Sequence, residues 1–216
     1  MDISYLGHSS FKIKTKNTTI VTDPYDPKSV GLKFPKTTAD IVTLSHAHPD
    51  HNSLDLVMDV KKVIEGPGEY EISGVTIIGI ASFHDNKNGE ERGKNTIYVF
   101  EMEELRLAHL GDLGHKLNEK TIEEMGDIDV LMIPIGGVYT IGPTEAGEVV
   151  RSIEPKITIP MHYQVRGLKA DTFAKLSGLE PFLADVGLVS EKTNKLSLKI
   201  STIGEEQKIV ILEKRL

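Results

Sequence analysis

The chain has 216 residues and no cysteine, and 25 Lys and Arg stand against 32 Asp and Glu, a formal charge of −7. That length suits one domain, or two halves sharing a core, and the acidic balance without a Lys/Arg run argues against nucleic acid as a partner. Disulfides, thiolate metal sites and a cysteine nucleophile are excluded. No apolar run approaches the roughly 18 residues of a membrane span. No basic-then-apolar leader opens the sequence, so the cytoplasm is the expected location, with no membrane partner.

Residues 2–6, 9–14 and 18–23 are short β-prone stretches broken at Gly7 and Asn17. In the second, Phe11 and Ile13 alternate with Lys12 and Lys14, as in a strand with one buried face. Residues 41–44 read as a fully apolar strand that runs straight into a histidine cluster. Asn52 or Ser53 is placed to cap a helix from Ser53 to Met58. Strands near 62–65, 75–81, 96–101 and 105–110 follow. Helices near 118–125, 143–153 and 170–177 then alternate with apolar strands at 129–133 and 157–161. Leu196, Leu198 and Ile200, with Ile209 and Ile211, predict a closing pair of strands joined at Gly204-Glu205-Glu206. Together these elements predict an α/β (α+β) fold: two sheets face to face with helices outside, an αββα four-layer sandwich forming one domain over 1–216.

Three of the eight histidines fall within six residues, His46-Ala47-His48-Pro49-Asp50-His51. In extended backbone His46 and His48 point the same way and can share one ion. Pro49 then turns the chain, so that Asp50 and His51 can face a second point nearby. Imidazole and carboxylate, with thiolates missing, are donors for zinc, manganese or iron. His84, Asp112 and His162 each follow a predicted strand, where a sandwich gathers its loops along one rim.

His-Ala-His-Pro-Asp-His resembles the HxHxDH signature of the metallo-β-lactamase superfamily. The resemblance extends through Tyr5-Leu6-Gly7-His8-Ser9, Gly66-Pro67-Gly68-Glu69-Tyr70, Ser82-Phe83-His84-Asp85, His109-Leu110-Gly111-Asp112, Pro134-Ile135-Gly136-Gly137 and Ile159-Pro160-Met161-His162-Tyr163. These segments look like the small single-domain branch of metal-dependent hydrolases, similar to the L-ascorbate-6-phosphate lactonases and more distantly to phospholipase D-like members. The resemblance implies one metal on His46, His48 and His84 and a second on Asp50, His51 and His162, with Asp112 bridging. It implies two divalent ions, zinc first, with Mn2+ or Fe2+ as alternatives. A hydroxide activated between them would cleave an ester, lactone or phosphodiester bond of a small molecule. Asp50 has a second, catalytic reading, orienting that hydroxide and passing its proton to the leaving group.

Other residues have two readings each. Asp23, in Thr22-Asp23-Pro24, is either the acceptor for a ligating histidine's free N–H or an ordinary turn residue. His8 is a substrate or supporting donor, or a structural histidine. His109 and His115 flank Asp112 and are expected to support it rather than bind metal. Arg92, Lys94 and Asn95 form a Gly-bracketed loop that either covers the rim and holds an anionic substrate group or is simply solvated. Tyr139 and Tyr163 either line the pocket or pack in the core. Two other functions compete: a non-haem iron redox enzyme of the same fold, and a non-catalytic metal-stabilised binding module.

Overall fold

The computed structural model describes residues 1–214. Two sheets stack face to face. The six-stranded sheet runs Leu196–Ser197, Asp2–Gly7, Ser10–Lys14, Thr19–Thr22, Ile41–Leu44 and Lys62–Glu65, antiparallel as far as Thr19–Thr22 and parallel beyond it. The eight-stranded sheet begins with five parallel strands, Ser190–Thr193, Lys208–Leu212, Ile157–Met161, Val130–Pro134 and Leu105–His109. Lys94–Met102, Val75–Phe83 and Gly68–Ile72 complete it in antiparallel pairing.

Period-two alternation explains the layering. Along Lys94–Met102, Tyr98, Phe100 and Met102 enter the core between the sheets, where they meet Ile3, Phe11 and Ile20 of the opposite sheet. The intervening Ile97 and Val99 face outward, into a second core. There they lie with Met125, Val149, Val150 and Phe182, carried by helices Glu119–Met125, Pro143–Ile153 and Glu180–Val186. A strand buried on both faces needs this near-continuous apolar sequence. Tyr98 also ties the sheets together: its hydroxyl reaches the carbonyls of Leu44 at 2.9 Å and Ile64 at 3.2 Å. A hydrogen bond of this kind stabilises by about 1 kcal/mol, and here it anchors the strand end that precedes His46.

The outer layer of the six-stranded sheet is thinner than the predicted sandwich suggests. Tyr25, Val30, Phe34 and Val57 cover Val21, Val42 and Leu44, and the only helix within residues 24–39 is the single turn Pro27–Val30. Pro24, Pro27, Pro35 and Gly31 leave no room there for more helix. The predicted helix over Ser53–Met58 is instead a 3₁₀ turn, Leu54–Leu56, followed by Val57–Met58, which pairs with Thr37–Thr38. Asn52 does not cap it, since its amide donates to the Ala47 carbonyl. The helix predicted over 170–177 ends at Phe173.

The predicted closing pair does not form. Leu196–Ser197 joins Asp2–Gly7 in one sheet, whereas Lys208–Leu212 lies parallel to Ile157–Met161 in the other. Alternation told which residues face inward, but Leu196 and Val210 meet the same inter-sheet core from opposite walls.

Candidate metal centre

The predicted ligands, and His8 beside them, follow strand ends on one rim. His8 follows Asp2–Gly7, the cluster 46–51 follows Ile41–Leu44, and His84, Asp112 and His162 follow Val75–Phe83, Leu105–His109 and Ile157–Met161. The cluster loop is tied down by bonds from Asp26 N to Pro49 O (2.9 Å) and from Ser53 N to Pro24 O (2.7 Å). His8 and His162 hold left-handed backbone, φ 56° and 50°, which non-glycine residues seldom adopt. Their conformations support each other, because His162 N donates to His8 O at 3.0 Å and the Tyr5 hydroxyl donates to the same oxygen at 2.7 Å. Gly111 is required for a different reason: a Cβ there would collide with Asn95 and Ser45.

Asp112 is the geometric middle. Its Oδ2 has Nε2 of His51 at 3.2 Å, of His84 and His162 at 3.3 Å each, and of His46 at 3.9 Å. Three groupings lie close enough to share an ion: His46, His48 and His84; His46, His51 and Asp112; and His8, Asp50, His51 and His162. The first matches one predicted triad. The third holds the other triad with His8 added, its Nε2 3.2 Å from Asp50 Oδ2.

The donor set fits cations. Buried Nε2 atoms of His46, His51 and His162 and Oδ1 of Asp112 have no hydrogen-bond partner. Such orphaned polar atoms are costly, and so many in one place point to a ligand. The proton arrangement agrees. Asp23, fully buried, accepts from Ser45 N (2.8 Å), Ser45 Oγ (2.6 Å) and His51 Nδ1 (2.8 Å). With its hydrogen given to Asp23, the Ser45 hydroxyl must accept from His46 Nδ1, 2.9 Å away. One carboxylate thereby fixes the tautomers of two histidines, leaving both Nε2 lone pairs facing the centre.

The remaining predicted residues separate. The Asn95 side chain is occupied by scaffold bonds: its Oδ1 accepts from Asp112 N (2.9 Å), and its Nδ2 donates to Ser82 Oγ (2.7 Å) and Leu110 O (2.9 Å). It supports the Asp112 turn, and the residue also lines the larger cavity beside the centre. His109 holds the same turn, accepting from Gly111 N at 3.2 Å while its Nε2 lies 2.8 Å from Ser9 O. His115 accepts from Phe83 N at 3.2 Å, beside His84. Tyr163 packs in the core under the helices and lines neither cavity beside the centre, so of its two readings the core one holds. Tyr139 does line the smaller cavity, with its hydroxyl donating to Thr172 O at 2.8 Å. Sequence reading missed Ser45 and Asp85. Asp85 accepts from the backbone N–H groups of Lys87, Gly89, Glu91 and Arg92 at 2.7–3.0 Å, building the loop that carries Arg92. The Asp-plus-glycines pattern of 85–93 was its available signal.

Burial, with His51 close by, pushes His46 down to about 3; burial, with His162 close by, pushes His8 down to about 4. Against the upward push of burial, the surrounding histidines hold Asp112 and Asp50 below the usual carboxylate range. Against the downward push of burial, Asp112 and Asp50 raise His51. A pH dependence of the chelated protein follows. An unfolded chain protonates His8 and His46 near 6.5, so between pH 6.5 and about 4 it binds more protons than the folded chain. Stability should fall with pH across that window, by up to about tenfold in the unfolding constant per unit per histidine. His51 is protonated in both states there and adds no slope; its stabilising contribution is lost only at higher pH. Urea midpoints in chelator between pH 7 and 4.5 check this, and a flat profile would contradict neutral buried rings.

Comparison with known proteins agrees with this geometry. The family model of the Beta-lactamase superfamily domain matches residues 2–162. A UPF0173 metal-dependent hydrolase of Methanopyrus kandleri is 28% identical over 195 residues, covering 76% of this chain and 84% of that protein. One of Bacillus cereus is 30% identical over 195 residues, covering 76% and 86%. Among solved structures, a Thermotoga maritima protein assigned as a Zn-dependent hydrolase of the metallo-beta-lactamase superfamily is 41% identical over 99% of each chain, with a TM-score of 0.81. Igni18, a metallo hydrolase of Ignicoccus hospitalis, shares the fold, with a TM-score of 0.67 at 21% identity over 86% of this chain and 90% of that one. With its strand-end histidines and shared aspartate, the chain belongs to the metallo-beta-lactamase superfamily, among its metal-dependent hydrolases.

Proposed function

We propose that this hydrolase works with two divalent ions, zinc in the first instance, and cleaves an ester, lactone or phosphodiester bond of a small anionic molecule. One observation carries the reading: four histidine Nε2 atoms surround one carboxylate oxygen of Asp112, and three of them have no hydrogen-bond partner. His46, His48 and His84 would hold one ion, Asp50, His51 and His162 the other, and Asp112 would span them. Bound there, the pair supplies a hydroxide near neutral pH and a Lewis acid for the substrate oxygen.

The protein's own groups do the rest. Asp50 Oδ2 lies at the mouth of the smaller cavity and, with His8 Nε2 at 3.2 Å, can take a proton and return it to a leaving oxygen. Phe173 and Tyr139 wall that cavity and limit water. Arg92, which also lines it, supplies positive charge for a substrate oxyanion.

Elemental analysis of protein purified without chelator tests the reading. About two metals per chain are expected, falling to about one or fewer in His48→Ala. A stoichiometry unchanged in that variant would contradict the ligand assignment.

A further inference from the structure

Four of the predicted ligands, His48, Asp50, His84 and Asp112, line the smaller cavity, of about 300 Å³. A larger chamber of about 700 Å³ lies beside it; His46 and His48 stand in its wall, and the rest of its lining has no part in the proposed ion set. It lies where the sheets part, between the end of Ile41–Leu44, the turn at Glu65–Pro67 and the adjoining ends of Val75–Phe83 and Lys94–Met102. Its walls include Leu44, Ala47, Pro67, Ala81 and Phe83. That size and lining suit the body of a small molecule. His48 and Arg92 line both cavities, so the chamber adjoins the metal centre.

Charge at the junction is built in. Among the described residues lining the chamber, Glu65 is the one carboxylate, against Arg92 and Lys94. Arg92 stands on the loop that Asp85 organises through four backbone N–H groups, and its guanidinium carbon lies 5.9 Å from the centre of the Tyr139 ring. The Arg92 guanidinium also reaches the exposed Glu91 carboxylate at 3.4 Å, a weak surface contact that a substrate oxyanion could replace.

We infer that the substrate is an amphipathic small molecule: its apolar acyl or aryl body fills the larger chamber, and its oxyanion lies at Arg92, beside the scissile bond. This inference rests on the hydrolase reading above and adds the class of substrate to it. Apolar burial raises transition-state affinity about fourfold per methylene until the chamber is full.

The test uses anilinonaphthalene sulfonate, an aryl body carrying an oxyanion, and the neutral phenylnaphthylamine as its uncharged counterpart. Fluorescence titration of metal-loaded protein should show saturable binding of the sulfonate. Ala81→Trp, which fills the chamber, should weaken both probes at least about tenfold. Arg92→Met, on the exposed loop, should weaken the sulfonate at least about tenfold and leave the neutral probe within about twofold. Ala81→Trp should also lose at least about tenfold of the kcat/KM preference for nitrophenyl octanoate over nitrophenyl acetate. Unchanged probe affinity in Ala81→Trp overturns the chamber assignment, and unchanged sulfonate affinity in Arg92→Met overturns the oxyanion assignment. Metal content and nitrophenyl acetate turnover of the unmutated protein report on the hydrolase reading separately. Selective probe binding without metal or turnover supports the chamber and sinks that reading; metal and turnover without selective binding do the reverse.

Discussion

Asp112→Ala is expected to abolish stable zinc binding and to lower kcat/KM at least about a thousandfold. Loss of an outer partner of a metal ligand costs roughly 10–100-fold in affinity. On the proposed assignment Asp112 is itself a ligand, with four histidine nitrogens within 3.9 Å of one oxygen, so its loss should cost more. The same substitution should also lower the stability of the chelated protein. Without cations, Asp112 Oδ2 lies 3.2 Å from Nε2 of His51, which it helps to hold protonated, and removing one partner of a buried pair costs on the order of 3–5 kcal/mol. Thermal unfolding with and without zinc separates the two effects. The unmutated protein should gain about 2.7 kcal/mol when free zinc is a hundred times its dissociation constant, and the variant nothing. A zinc-dependent gain retained by Asp112→Ala would refute the shared-ligand role.

Asp23→Ala should likewise harm the chelated protein as well as the loaded one. Alanine leaves three buried donors without an acceptor: Ser45 N–H, the Ser45 hydroxyl and His51 Nδ1–H. Breaking a buried charged network by removing one partner costs on the order of 3–5 kcal/mol. Freed from Asp23, His46 and His51 can take the other tautomer, which turns N–H groups toward the cations, so zinc affinity should also fall roughly 10–100-fold. Asp23→Asn separates packing from proton order. Its amide oxygen can still accept from Ser45, but its NH₂ opposes the His51 Nδ1–H, so stability should recover more than affinity. Urea midpoints in chelator and competitive zinc titration measure both quantities. Zinc affinity of Asp23→Ala within about twofold of the unmutated protein would refute the tautomer argument.

The centre was legible because its densest part is local. His46 to His51 advertise themselves by spacing alone, and His84, Asp112 and His162 by their places after apolar strands. Asp23 was half legible, since an Asp-Pro pair at a strand end reads equally as a turn. Ser45 was not, because its role exists only through the order in which protons pass from His46 to Asp23. Tyr163 stayed open between pocket and core because adjacency to His162 says nothing about which way a neighbouring side chain points; it packs in the core. Asn95 was legible as a polar residue near the centre, but not the three bonds by which it supports the Asp112 turn. In the fold, Leu196 and Ile209 carried the right alternation and the wrong partners: periodicity fixes which face is buried, not which strand lies alongside. Gly68–Ile72 and Ser190–Thr193 escaped notice because edge strands need little apolar sequence.

The rim draws its donors from both sheets, His8 and the 46–51 cluster from one, His84, Asp112 and His162 from the other. The two most distant members, His8 and His162, share a backbone hydrogen bond. A nascent or truncated chain lacking Ile157–Met161 and His162 would keep His46, His48, His84 and Asp112 but lose the second triad, so a second ion would load last in assembly. Retention of that second metal would therefore serve as a certificate that both halves of the molecule have been completed and joined.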